Sequence, residues 1–151
     1  LRVMGRTASG VRGINLDGTD CIGAEIASDD DKILIVTEKG YGKQTNVREY
    51  RQTSRGSKGV KALNITDKNG SIASFKLVGE NSDVVIITNT GMLIRLPLDQ
   101  VSTLGRVTQG VRLIHLKDNQ SVSTVSIVEH EEKVDYDVDE SNNSNNEEKS
   151  E

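Results

Sequence analysis

Gly59-Val60-Lys61-Ala62-Leu63-Asn64-Ile65 is the middle one of three copies of a short pattern. Gly10-Val11-Arg12-Gly13-Ile14-Asn15-Leu16 stands 49 residues before it, and Gly110-Val111-Arg112-Leu113-Ile114-His115-Leu116 stands 51 residues after it. The flanks repeat too. Arg6, Arg55 and Arg106 each lie four residues before a copy's glycine, and the residue after each Gly-Val pair is basic: Arg12, Lys61, Arg112. Ten residues before each valine is a large apolar residue: Leu1, Tyr50, Val101. One such match could arise by chance, but three with ordered flanks mark an internal repeat.

A second element recurs in step. Ile33-Leu34-Ile35-Val36-Thr37-Glu38-Lys39-Gly40 matches Val84-Val85-Ile86-Ile87-Thr88-Asn89-Thr90-Gly91. Both are β-branched runs closed by a Gly-bearing turn, which reads as a strand entering a hairpin. Asp17-Gly18 and Asp67-Lys68-Asn69-Gly70 are further turns, and Ser71–Val78 is another strand. Helical periodicity is not sustained in the body. A unit of about fifty residues holding several short strands has the size of one propeller blade. The expected organisation is all-β, a partial array of about two complete blades plus part of a third. Its parts are residues 1–28, 29–79 and 80–128, followed by an acidic tail at 129–151 expected to be disordered. A lone blade cannot bury both faces, so the chain reads as a fragment.

Aromatic residues make up 3% of the chain, with no Trp, so the core must rest on Val, Ile and Leu. The single cysteine, Cys21, forms no internal disulfide and suits a reducing cytosol. No apolar run has the length of a membrane span. The net charge of −4 hides a division: residues 129–151 carry ten Asp/Glu against Lys133 and Lys149, so the body is basic by about the same margin that the whole chain is acidic. Two readings stand for the tail, a solubilising terminus or a DNA mimic that competes for the basic body.

The charge of the body gathers in one stretch. Lys39, Lys43, Arg48, Arg51, Arg55, Lys58 and Lys61 lie between residues 39 and 61, where Glu49 is the only acid. Gly56 and Gly59 bracket a loop whose backbone N–H groups can approach a ligand closely. Cations and loop donors together suit phosphate oxygens, which carry no sequence information. Arg6, Arg12, Arg106 and Arg112 repeat the arrangement elsewhere, so sequence-tolerant, salt-sensitive binding of duplex DNA is expected. Catalytic and metal constellations are wanting. Tyr50 shares its position with Leu1 and Val101 and reads as core. Gly40-Tyr41-Gly42-Lys43 fails the phosphate-loop spacing, Asp29-Asp30-Asp31 fails the EF-hand spacing, and neither His115 nor His130 has a partner at zinc spacing.

Arg2-Val3-Met4-Gly5-Arg6-Thr7-Ala8-Ser9-Gly10-Val11-Arg12-Gly13, Gly40-Tyr41-Gly42-Lys43 and Asn46-Val47-Arg48-Glu49-Tyr50 resemble the C-terminal domain of the DNA gyrase A protein. The likeness runs from residue 1 to about residue 128. It implies a β-pinwheel, a disc of four-stranded blades of which this chain supplies the last ones. That family's heptapeptide Q-R-R-G-G-K-G has its nearest match in Thr53-Ser54-Arg55-Gly56-Ser57-Lys58-Gly59, which keeps four of seven positions and resembles the degenerate copies of later blades. The resemblance implies a cytoplasmic, nucleoid-associated type II topoisomerase that introduces negative supercoils with ATP hydrolysis. ATP and Mg belong to other domains and to the gyrase B protein. The implied partners are gyrase B and a second copy of gyrase A, and no cofactor or catalytic residue is expected in this piece. The corresponding domain of topoisomerase IV and a propeller-like protein-interaction module are the rival readings.

Overall fold

The structure, a computed structural model, describes residues 2–131. Its strands are β1 (Lys32–Thr37), β2 (Tyr41–Asn46), β3 (Ile72–Val78), β4 (Ser82–Thr88), β5 (Leu93–Pro97), β6 (Val111–Arg112) and β7 (Val122–Glu129). Short 3-10 turns at Val47–Glu49 and Leu98–Gln100 follow β2 and β5. Two sheets form, one in the order β3-β1-β2-β6 and one in the order β5-β4-β7. The two repeated apolar runs become β1 and β4, the central strands, where burial on both faces rewards continuous Ile, Leu and Val.

Both hairpins are built alike. A register shift interrupts β1 at Val36/Thr37 and β4 at Ile87/Thr88. At each shift a buried threonine hydroxyl accepts a backbone N–H four residues on. Thr37 Oγ1 takes the N–H of Tyr41 and Thr88 Oγ1 that of Met92, both at 3.1 Å. Gly40 closes the first turn at φ +84°, and a Cβ there would lie 2.6 Å from Ile114 Cγ2 and 2.8 Å from the Ile114 carbonyl oxygen. Only glycine meets both demands.

The Gly-Val-basic pattern turns out to serve the preceding unit. Val111 and Arg112 pair with Gly42 and Tyr41, adding β6 to the edge of the first sheet, and Gly40 O accepts the N–H of Leu113 at 2.8 Å. A further bond ties the units together, from Val122 N–H to Glu38 O at 2.8 Å. The other two copies, around Val11 and Val60, form no strand. The third copy joins the hairpin one unit back, and for neither of these two do the described residues hold a hairpin at that distance. Residues 2–30 accordingly contain no strand where part of a blade was expected, and Val3 and Ile26 are almost wholly exposed. This segment touches the rest through Gly56 N–H to Gly13 O and Asn15 N–H to Ser57 O, each at 2.9 Å.

The main core lies where the sheets face each other. Leu34, Val36, Val78, Val84, Ile86, Leu98, Val101, Val122 and Val125 make one cluster, with Leu96, Leu113 and Ile127 packed against it. At one end of the second sheet Asp83 is buried in an ionic knot. Its carboxylate accepts the Arg95 Nε–H at 2.7 Å and lies 2.6 Å from His130 Nδ1. Glu129 completes β7 and His130 N–H bonds Asn81 O, so the sheet runs a little beyond residue 128. The remainder of the expected acidic tail, from residue 132, lies outside the described residues, as does Leu1.

Two outcomes follow from this packing. Ile86→Ala empties a fully buried site at the sheet-sheet contact and should cost about 3 kcal/mol in a urea denaturation followed by circular dichroism. The hydrogen bond with His130, with a lesser one from Arg95, holds the Asp83 carboxyl below its ordinary value against the opposing effect of burial. The contribution is present above the ordinary carboxylate pKa of about 4 and is lost as pH falls through the depressed one. Stability should therefore decline on acidification below about pH 4, and Asp83→Asn should make that decline shallower in denaturation curves taken across the range.

Candidate nucleic-acid interface

Three successive residues of β2 anchor the loop after β5. Lys43 is fully buried, and its Nζ donates to the carbonyl oxygens of Gly105 at 2.8 Å, Arg106 at 2.7 Å and Thr108 at 3.1 Å. Gln44 Nε2 donates to Leu98 O at 2.9 Å and Val101 O at 2.8 Å, and Thr45 Oγ1 donates to Leu104 O at 3.1 Å. Burial, partly offset by Glu49 and reinforced by Arg106, lowers the Lys43 pKa from its usual value. Lys43 was expected to face phosphate, and this placement corrects that expectation. The reason is its register: it pairs with buried Ile35, as Ile94 pairs with Ile86 in the second hairpin. The ammonium is spent on carbonyls of the loop, so it shapes the surface from behind.

The remaining expected cations reach the surface in different states. Arg51 and Arg55 are exposed and form no side-chain hydrogen bond or ion pair with the described residues. Lys58 lies 3.7 Å from Asp17, an exposed pair that weakly restrains it. Arg48 pairs with Asp30, and Lys39 Nζ donates to Asp67 O at 2.5 Å. Lys61 Nζ donates to Asn64 Oδ1 at 3.1 Å. Arg6 and Arg12 are exposed on the strandless N-terminal segment. Gly56 and Gly59 both adopt positive φ, near +80°, so the loop they bracket turns as a side-chain-bearing residue would resist.

Two clusters are brought together from separate repeats. Glu49, Arg51, Gly59, Val60, Lys61 and Arg106 line one open recess. Arg106 is half-buried there; its guanidinium donates to Lys61 O and its backbone N–H to Glu49 Oε2, the latter at 2.7 Å. In the second cluster the Arg112 guanidinium lies over the Tyr41 ring, 5.4 Å from the centroid, and donates to Tyr41 Oη at 3.0 Å. His115 Nδ1 stands 3.2 Å from Arg112 Nη1. Stacking and the two contacts hold the arginine in one pose, which lowers the entropy it loses on meeting an anion.

Some organising residues carry no signal in the linear sequence. Asn69, which reads only as part of a turn, is fully buried; its Nδ2 donates to Asn64 O at 2.9 Å and Gln109 O at 3.0 Å, and its Oδ1 accepts the Thr66 N–H at 2.7 Å. Nothing in the pattern flags it, because the bond to Gln109 spans two repeats. Tyr50 is half-buried with its hydroxyl enclosed, in keeping with a packing role.

Blades joined by strand exchange, with loops that gather arginine and lysine at one recess, define a propeller-type domain with a cationic loop surface. The family model described as the DNA gyrase C-terminal domain, beta-propeller, matches residues 1–23, 31–78 and 82–129, and the chain belongs to that family. It is 46% identical over 145 residues to the DNA gyrase A protein of Staphylococcus aureus, an alignment covering 94% of this chain and 16% of that protein. It is 47% identical over 135 residues to the Staphylococcus epidermidis counterpart, covering 87% of the chain and 15% of the relative. The chain thus spans about one-sixth of the length of these curated relatives. Among solved structures, a DNA gyrase A C-terminal domain superposes with a TM-score of 0.61 at 28% identity, covering 65% of this chain and 33% of the other. The C-terminal domain of a DNA topoisomerase IV shares the fold, with a TM-score of 0.71 at 24% identity, covering 80% and 38%.

Lys43→Met keeps the aliphatic stem and strips three loop carbonyls of their donor. The substitution should lower stability by about 2–3 kcal/mol. It should also speed amide hydrogen exchange in residues 104–108 more than in β4, measured residue by residue.

Proposed function

We propose that this chain is the DNA-binding and DNA-wrapping part of a DNA gyrase A protein. The observation that carries the reading is the convergence of Arg51, Lys61 and Arg106, from two repeats, on one recess, with Arg55 and Lys58 exposed on the loop between them in sequence. Family membership and the similarity to gyrase A chains support it. The contacts are to phosphates: Arg51, Arg55, Lys58, Lys61, Arg106 and Arg112 supply charge, while Gly56 and Gly59 let the backbone come close. Arg48 and Lys39 add charge once DNA competes for their present partners, and Arg6 and Arg12 extend the surface on the N-terminal segment. Smooth bending of duplex DNA through tens of degrees costs roughly 1–6 kcal/mol, which several such contacts offset. Sequence plays little part, because phosphate contacts are alike along any duplex.

In the whole enzyme, wrapping of a fixed hand presents a crossing segment for strand passage and turns relaxation into ATP-driven negative supercoiling. ATP and Mg act in other domains and in gyrase B. Assembly with gyrase B, and with a second copy of gyrase A, runs through regions outside this chain. The working location is the cytoplasm, at the nucleoid. Among the described residues no helix is long and apolar enough to cross a membrane.

Titration of the chain with random-sequence duplex DNA across a salt series tests the reading. Affinity should fall steeply with salt, and Arg51→Ala, Lys61→Ala and Arg112→Ala should each flatten the log–log slope by about 0.9 and weaken all sequences alike. A folded chain with no salt-sensitive binding would make these blades spacers between other DNA-holding ones.

A further inference from the structure

The recess that gathers the cations also holds an acid. Glu49 is the only Asp or Glu between residues 39 and 61. Its Oε2 accepts the Arg106 backbone N–H at 2.7 Å, and the recess places it with Arg51 and Lys61 as well. Gly105, the residue before Arg106, lies against the same carboxylate: a Cβ built on it would make ordinary contact with that oxygen, at 3.8 Å. The loop's carbonyl side is meanwhile fixed by Lys43. A backbone N–H presented by a braced loop, with guanidinium and ammonium groups nearby, suits an oxygen anion.

We propose that Glu49 is a built-in stand-in for a DNA phosphate. Its carboxylate occupies the seat at Arg106 N–H in the unbound chain and is displaced when a phosphate oxygen of the duplex takes that donor. The inference rests on the DNA-binding reading above and deepens it, by naming one phosphate position and the group that guards it. Two features suit Glu49 to this exchange. It is exposed, so it can swing into water without burying its charge. It also reduces by one the positive charge that the recess offers to DNA, which moderates affinity and leaves the seat preorganised between encounters. The next repeat carries neutral Gln100 at the equivalent place, 51 residues on, so the fold accommodates an amide there.

Glu49→Gln in the full chain is the test, since glutamine still offers an oxygen to Arg106 N–H while losing the charge. With random-sequence duplex DNA at about 0.1 M salt, affinity should rise about fivefold and the salt slope should steepen by about 0.9. The thermal midpoint should fall only slightly, since Glu49 is exposed although its charge partly offsets the burial of Lys43, and the chain should stay folded. Gln100→Glu alters the net charge by the same amount, but no loop corresponding to residues 104–108 faces it among the described residues. It should change affinity less than twofold. Unchanged or weaker binding by Glu49→Gln would overturn the proposal. So would a loss with Gln100→Glu as large as the gain with Glu49→Gln, because net charge alone would then explain both. If neither the wild-type chain nor the variant bound DNA in a salt-dependent way, the DNA-binding reading itself would fall and this inference with it.

Discussion

The short pairing of Val111 and Arg112 with Gly42 and Tyr41 is the constraint on which the rest is hung. It is only two residues long, yet it decides where the surrounding chain can go. By joining the edge of the earlier sheet it brings Leu113 onto the packed core and sets Arg112 beside Tyr41. It also draws residues 104–108 along β2, where Lys43 and Thr45 reach them by their side chains and Gln44 by its carbonyl oxygen, which accepts the Leu104 N–H. The recess is therefore a by-product of strand exchange: Arg51 and Lys61 come from one repeat and Arg106 from the next, and only the crossing of the chain between sheets makes them neighbours.

The same exchange separates what was legible in the sequence from what was not. Ile33–Gly40 and Val84–Gly91 read as strands entering hairpins, because β-branched runs ended by a turn glycine have few other stable uses; their central place in each sheet shows only in the structure. The three Gly-Val-basic copies announced a repeat, and the all-β blade architecture followed. What the linear pattern hid was ownership. A strand belonging to the preceding blade looks, in sequence, like part of its own unit, because hydrogen-bond partners leave no local mark. For the same reason the strand content expected in residues 1–28 did not form: the pattern is present, but it needs an edge to join.

Lys43 makes the parallel point for the site. Charge counting places it with Lys39 and Lys58, while the offset of 51 places it with Ile94. The second comparison is the better guide, since strand register fixes which face a side chain occupies and charge does not. Desolvation is tolerated because three carbonyls repay it, an arrangement that no composition-based reading anticipates. Among the cations that do reach the surface, Arg51 and Arg55 lie on irregular chain, where no partner strand dictates orientation, while Arg112 sits on the two-residue edge strand β6.

The exchange also bears on how the array yields under load. In an ordinary string of repeats each unit can open by itself, and the string behaves as weakly coupled beads. Here the edge of the first sheet is covalently part of the unit behind it, and Val122 N–H is tethered to Glu38 O across the same junction. Peeling one blade away strips its neighbour of an edge strand, so damage spreads in one direction along the chain. Load applied to one blade is therefore shared with the blade whose edge it completes, and the two yield together.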